Sequence, residues 1–332
     1  MSYRSTIARQ PEALADTYAA ARVELANLDL SILDKPVIGV TGIGASFAAA
    51  VVGAAELQAK GRRGFAIRSV DMADGWDLCD ALVGLSHRGR SVETVAALEK
   101  LPQASRLAIT NDPESPLAQA ANLHIRLNNG SDATPSSTGY TATLLAMGMA
   151  FEKLIGGGDD FAAIPKLAKE VLAAAGNRME RLGELFSARR AIDCVGAVAS
   201  LGTADGASLL IREAARIPAS AYDTRHYLHG PMEAMDATTG VVIFGAGREI
   251  ELAQQVDAIG CPALLVTTED VPDGNRLTVI KVPKADNLIA QGILDIFAAQ
   301  LIAAVLSDAA GLTDTTFRYR MSDTKVPKAE AA

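Results

Sequence analysis

Apolar segments of strand length alternate along this chain with segments of helix length, and after a break near residue 160 the same order begins again. Such alternation is the mark of βαβ units, because neighbouring parallel strands can be joined only by a crossover, usually a helix, that then covers a face of the sheet. In the first half the apolar runs predict strands at Val37–Val40, Phe65–Arg68, Ala81–Leu85, Arg106–Thr110 and Leu123–Leu127. Helices are expected at about Ser46–Ala59, Ser91–Lys100 and Thr141–Leu154. The stretch Gly156-Gly157-Gly158-Asp159-Asp160 reads as a linker. Beyond it the sequence predicts a long helix over Phe161–Phe186, strands near Ala191–Val195, Gly240–Phe244, Ala263–Thr267 and Thr278–Val282, and a last helix over Leu288–Leu306.

The two halves also echo one another in detail. Leu107-Ala108-Ile109-Thr110-Asn111-Asp112 is matched by Leu264 to Asp270, and His124 to Leu127 by Val279 to Val282, at offsets of roughly 155 residues, the length of one such domain. A duplicated pair of domains is expected, one over 25–158 and one over 162–325. Each is an α/β domain of three αβα layers around a mainly five-stranded parallel sheet.

Several classes of function fall away at this stage. The apolar stretch Leu288–Leu306 is interrupted by Gln291, Asp295 and Gln300, which belong in a core helix and not in a bilayer. The opening ten residues do not have the basic-then-apolar order of a secretory signal, so a cytoplasmic protein is expected. Cys79, Cys194 and Cys261 are widely spaced and suggest neither a disulfide framework nor a zinc site. A net charge of −8 repels a phosphate backbone, and neither nucleic acid nor a membrane is an expected partner.

In open parallel sheets ligands gather beyond the carboxyl ends of the strands, so the turns after the strands matter most. Three of them carry polar groups at the start of a helix. The first, Thr41-Gly42-Ile43-Gly44-Ala45-Ser46, offers backbone N–H groups and a hydroxyl to an anion, or is a tight turn that needs glycine. Phe47 stands where a dinucleotide fingerprint needs its third glycine, so a nicotinamide cofactor is not expected. The second, Ser86-His87-Arg88-Gly89-Arg90-Ser91, concentrates hydroxyls, an imidazole and two guanidiniums, which suits an anion; a capped helix with solvated arginines is the bland alternative. The third, Ser136-Ser137-Thr138-Gly139, is hydroxyl-rich and is either a ligand loop or an N-cap. In the second half, Glu213 on a helix and His229 before Gly230-Pro231 suit proton transfer near neutral pH, or are a helix surface charge and a turn histidine.

Taken together, these motifs resemble the tandem sugar isomerase (SIS) domain family, to which the isomerase half of glucosamine-6-phosphate synthase and stand-alone amino-sugar phosphate deaminases and isomerases belong. The resemblance spans nearly the whole chain and implies SIS-type domains. It implies that Gly44, Ser46, Ser86, His87, Arg88, Ser91, Ser137 and Thr138 enclose a sugar phosphate. It assigns catalysis to Glu213 and to His229, sixteen positions later and followed by Gly-Pro as in the family, and it makes Lys325 the candidate for contact or imine formation at the substrate carbonyl. Neither metal nor organic cofactor is implied. A homodimer is, with the site at the subunit interface, because the family's histidine serves the neighbouring subunit.

Departures from the family pattern narrow this picture. Arg88 and His87 replace a serine and a glutamine in the phosphate loop, and Leu210 replaces a lysine three residues before the glutamate. No glutaminase domain is visible in these 332 residues, so ammonia from glutamine is not expected to be used. The expected function is therefore an aldose–ketose isomerase or amino-sugar-6-phosphate deaminase acting on a hexose 6-phosphate through proton transfer between C1 and C2 by Glu213. The alternatives are a non-catalytic sugar-phosphate sensor and a purely structural dimerisation protein.

Overall fold

The computed structural model describes residues 2–74, 77–158, 161–312, 316–319 and 321–327. Ten strands build two five-stranded sheets. The first holds β1 (Val37–Gly42), β2 (Arg63–Arg68), β3 (Ala81–Leu85), β4 (Arg106–Thr110) and β5 (Leu123–Arg126), in the order β2-β1-β3-β4-β5. The second holds β6 (Ala191–Gly196), β7 (Ala219–Asp223), β8 (Thr239–Phe244), β9 (Ala263–Thr267) and β10 (Leu277–Lys281), in the order β10-β9-β8-β6-β7. All pairings are parallel. Read from the opposite edge, the second order repeats the first strand for strand, which is the expected duplication of an αβα domain.

Burial explains which strands are legible as apolar runs. β3, β8 and β9 are buried at every residue, as strands covered by helices on both faces must be. β7, Ala-Ser-Ala-Tyr-Asp, lies at a sheet edge with only its first residue buried, and the sequence reading does not contain it. The long helix expected over Phe161–Phe186 is two helices, Ile164–Gly176 and Met179–Phe186, interrupted where Gly176 and Asn177 end the first. Of the expected linker, residues 156–158 are irregular, while Asp159 and Asp160 lie outside the described residues.

Contacts divide the chain into two compact units that differ from the expected linear boundaries at three segments. The β1–β5 unit comprises Ala13–Gly130, Gly139–Ala162 and the segment from Phe317; the β6–β10 unit comprises the first twelve residues, Ser131–Thr138 and Ala163–Thr316. Specific bonds account for the differences. Within the β6–β10 unit, the buried Gln10 amide donates to Gln300 Oε1 at 2.5 Å, and Arg4 pairs with Asp308. Within the β1–β5 unit, Val326 N donates to Arg90 O at 2.9 Å and Arg90 Nη2 donates to Val326 O at 2.7 Å, tying the C-terminal segment to the loop after β3.

The core helix of the β6–β10 unit, Leu288–Ala309, is long and apolar enough to cross a membrane, and it is buried here against helices Ala199–Ala214 and Ile164–Gly176. The three cysteines are buried and unpaired.

Candidate active site

β1 and β3 are neighbours in the sheet, and the chain leaves them toward opposite edges, so the crevice beyond their carboxyl ends is the switch point where such sheets hold ligands. Two of the three polar turns flank it. At the end of β1, a Cβ on Gly42 would lie 2.6 Å from Ser46 Cβ and 3.0 Å from the Leu85 carbonyl oxygen, so only glycine lets the helix Ala45–Ala59 start so close to β3. Gly44 caps that helix at φ 60°, ψ −127°, and Ser46 is half-buried in its first turn.

The turn after β3 is closed tightly from below. Gly89 has φ 63°, and a Cβ there would come within 2.0 Å of Ser115 Oγ. Its N–H donates to Ser86 O at 2.8 Å and its carbonyl accepts from Leu117 N at 3.0 Å. Ser86 and Ser91, both buried, face each other with their hydroxyl oxygens 3.2 Å apart. Lys325 Nζ donates to Ser91 Oγ at 3.0 Å, and the backbone of Lys325 bridges that of Ser91. Loss of solvation lowers the Lys325 ammonium pKa; Glu93 opposes the shift and the nearby Arg88 adds to it. His87 Nε2 lies 3.2 Å from Asn129 Oδ1, and Arg88 is exposed. A row of hydroxyl, hydroxyl and amine is thereby set beside a guanidinium at the start of helix Val92–Glu99.

Residues 31–155, which contain β1 to β5 and both of these turns, match the model of the SIS domain family. Residues 31–155 are a SIS domain. In fold the whole chain is a tandem pair of αβα domains of one strand order. The C-terminal domain of glucosamine-fructose-6-phosphate aminotransferase from Francisella tularensis superposes with a TM-score of 0.79 over 93% of this chain and 96% of its own, at 18% identity. Tagatose-6-phosphate ketose/aldose isomerase from Escherichia coli gives a TM-score of 0.79 over 96% of both chains at 19% identity. Among curated sequences, glutamine–fructose-6-phosphate aminotransferase (isomerizing) of Sulfolobus acidocaldarius is 23% identical over 79% of this chain and 46% of its own length. Fructosamine deglycase FrlB of Bacillus subtilis is 28% identical over 48% of this chain and 51% of its own. The chain spans about half the length of the curated relatives it matches.

The structure gathers Ser86, Ser91, Arg88 and Lys325 within the SIS domain's own unit, and it treats the third turn differently. Ser137 and Thr138 are fully buried in the β6–β10 unit, where the Ser137 hydroxyl bonds to Thr6 Oγ1 at 2.7 Å and Asp132 Oδ1 at 3.1 Å. Asp132 folds the turn onto itself, accepting from Ser136 Oγ and from Ser137 N, and draws the hydroxyl inward.

In the β6–β10 unit, Glu213 lies on helix Ala199–Ala214 and is half-buried; loss of solvation raises its pKa to about 7 against the opposing charge of Arg212. His229 is exposed at the end of helix Thr224–Leu228, its N–H donating to His226 O at 3.0 Å. Sequence reading did not single out Tyr3. Its phenol is buried without a hydrogen-bond partner, and burial together with the negative charges of Asp132 and Glu213 pushes its pKa up. Tyr3 stands far from any motif, and no pattern in the sequence marks it. Tyr222 and Tyr227, in the same stretch as His229, pack ring to ring at 5.3 Å, and Tyr227 donates to Asp193 at 2.8 Å, which is a structural role.

Proposed function

We propose that the protein acts on a hexose 6-phosphate or its amino derivative as an aldose–ketose isomerase or amino-sugar phosphate deaminase. The observation that carries this reading is the hydrogen bond from Lys325 to Ser91, which sets an amine of lowered pKa inside an anion-binding turn. In this reading Ser46, Ser86, Arg88 and Ser91 hold the phosphate with first-turn N–H groups of the two helices. Lys325, its ammonium pKa lowered by lost solvation and the nearby Arg88 where Nζ meets Ser91, attacks the open-chain carbonyl carbon, and loss of water leaves an imine. Glu213 moves the proton between C1 and C2, and a carboxyl titrating at about 7 both accepts and returns it near neutrality. His229, exposed, serves ring opening in a second copy of the chain, as a homodimer of this family would require. The names of the curated relatives support a related substrate class, since they are isomerizing aminotransferases of fructose 6-phosphate and a fructosamine deglycase.

The test is proton NMR in deuterated water with fructose 6-phosphate and, separately, glucosamine 6-phosphate, joined to borohydride trapping and peptide mass spectrometry. Exchange at C1 or C2 is expected, with ammonia released from the amino sugar and a reduced adduct on Lys325. Exchange without an adduct leaves an enediol isomerase in which Lys325 only binds. Binding without exchange makes the protein a sugar-phosphate sensor and ends the enzyme reading.

A further inference from the structure

The second sheet has its own switch point, between β6 and β8, and a cavity of about 200 Å³ opens there. Ser200, Ala246, Thr267, Lys284, Gln291 and Asp295 are among the residues that line it. All of them belong to the β6–β10 unit. None belongs to the turns and catalytic candidates described above.

The backbone around this cavity repeats that of the first site. A Cβ on Gly196 would lie 2.9 Å from Ser200 Cβ, as one on Gly42 would from Ser46 at 2.6 Å. Val198 caps its helix at φ 55°, ψ −119°, close to the 60°, −127° of Gly44. A β-branched residue rarely adopts that conformation, and the Val198 side chain is 67% exposed, so packing does not hold it there. What the conformation preserves is the turn that opens the helix at the carboxyl end of β6.

Asp295 supplies the second observation. It is buried in the middle of the core helix, where Gln291 Nε2 donates to Oδ1 at 2.7 Å and Gln291 Oε1 accepts from Ala285 N at 2.8 Å. The amide is fixed at both ends and aims one oxygen of the carboxyl. Among the described residues no cation faces this carboxyl; Lys284 stands exposed where it lines the cavity. A desolvated carboxyl with one neutral partner in a hollow lined by hydroxyls calls for a ligand that brings hydrogen-bond donors or positive charge. The volume lies below that of sites for drug-sized molecules and admits one sugar ring, not a nucleotide.

We infer that this cavity is a second ligand site, which takes a sugar-sized zwitterion with its ammonium inward on Asp295 and its anion outward at Lys284 and the N-terminus of helix Ala199–Ala214.

Glucosamine 6-phosphate is the probe, titrated calorimetrically into the full chain carrying Glu213→Gln to suppress turnover. Two binding events per chain are expected. Adding Ser86→Ala and Arg88→Ala removes one of them, and adding Asp295→Asn instead weakens the other at least tenfold. Ala246→Trp, on the exposed rim, does the same without touching the core and serves where Asp295→Asn disturbs folding. Fructose 6-phosphate, which has no amine, binds the second site at least tenfold more weakly than the probe. Loss of all binding in the Ser86→Ala, Arg88→Ala chain overturns this inference while leaving the proposed function standing. Retention of both events in that chain does the reverse, overturning the phosphate role of Ser86 and Arg88 and leaving this inference standing. Equal binding of the two sugars at the second site overturns the ammonium assignment.

Discussion

The two sheets share one strand order, and the turns at their switch points have diverged in opposite chemical directions. After β3 stand two hydroxyls, an imidazole and two guanidiniums; after β8 stand Gly245, Ala246 and Gly247, followed by the buried carboxyl-bearing side chain of Glu249, against which a Cβ on Gly245 would press at 3.0 Å. One turn is open to an anion and the other is closed by an acid. The difference teaches that the αβα layers fix where a ligand can sit and leave undecided which ligand it is. The function proposed above divides the labour, with anion capture assigned to the β1–β5 unit and proton transfer to Glu213 of the β6–β10 unit.

The strongest way to break that division is Glu213→Gln. If the glutamate moves the proton, turnover falls by about 10²–10⁴-fold while the affinity for sugar phosphate is kept; an unchanged rate in a steady-state assay would reassign the chemistry to the other unit. The same variant has a pH signature. The folded carboxyl titrates at about 7 against an ordinary 4.5, so the stability it contributes is fully present below about pH 4.5 and is lost as pH rises through 7. Relative to wild type, the glutamine variant is expected to gain on the order of 3 kcal/mol in urea melts between pH 4.5 and pH 8, an upper bound for a group that is not fully buried. A pH-independent difference would place Glu213 in water.

Arg88→Ala sharpens the comparison from the other side. The guanidinium is exposed, and among the described residues it makes no hydrogen bond that holds the turn, so the fold should survive and the thermal midpoint stay within experimental error. Sugar-phosphate affinity should fall by about 10–100-fold, the worth of a charged hydrogen bond, and the loss should shrink at high salt. Inorganic phosphate, as a competitor, should weaken in parallel. Weakening confined to the sugar would mean that Arg88 reads hydroxyls and that the anion lies elsewhere.

How much of this was legible in the sequence follows from burial. The nine strands read carry apolar side chains in their sequence, most densely where β3, β8 and β9 are buried at every residue, whereas edge strand β7, Ala-Ser-Ala-Tyr-Asp, offers only small and polar residues around one tyrosine and left no run to read. Glycines 42, 44 and 89 were legible because their positions forbid a side chain, and the serines because hydroxyls cluster at helix starts. The inward turn of Ser137 was not legible: its partners Thr6 and Asp132 include one that lies 131 residues away, a separation no local pattern carries. Lys325 was identified through resemblance alone, and its reach to Ser91 spans 234 residues. Tyr3 and Asp295 were missed as site candidates because each looks like ordinary core until the cavity or charge beside it is seen.

The smallest expected effect probes the one backbone position where the two units should agree and do not. Gly44 and Val198 adopt nearly the same dihedral angles at the start of equivalent helices, yet only glycine is at ease there. Strain of about 1–3 kcal/mol is expected at Val198, and its exposed side chain offers little burial in return. Val198→Gly should relieve that strain and give back roughly 1 kcal/mol through the looser unfolded chain, for a net gain of about 1 kcal/mol and a thermal midpoint higher by about 2 °C. Gly44→Val should cost about what the first change releases. If Val198→Gly instead destabilises, the turn after β6 is held by something other than a shared backbone requirement. The likeness of the two switch points would then stop at the order of their strands.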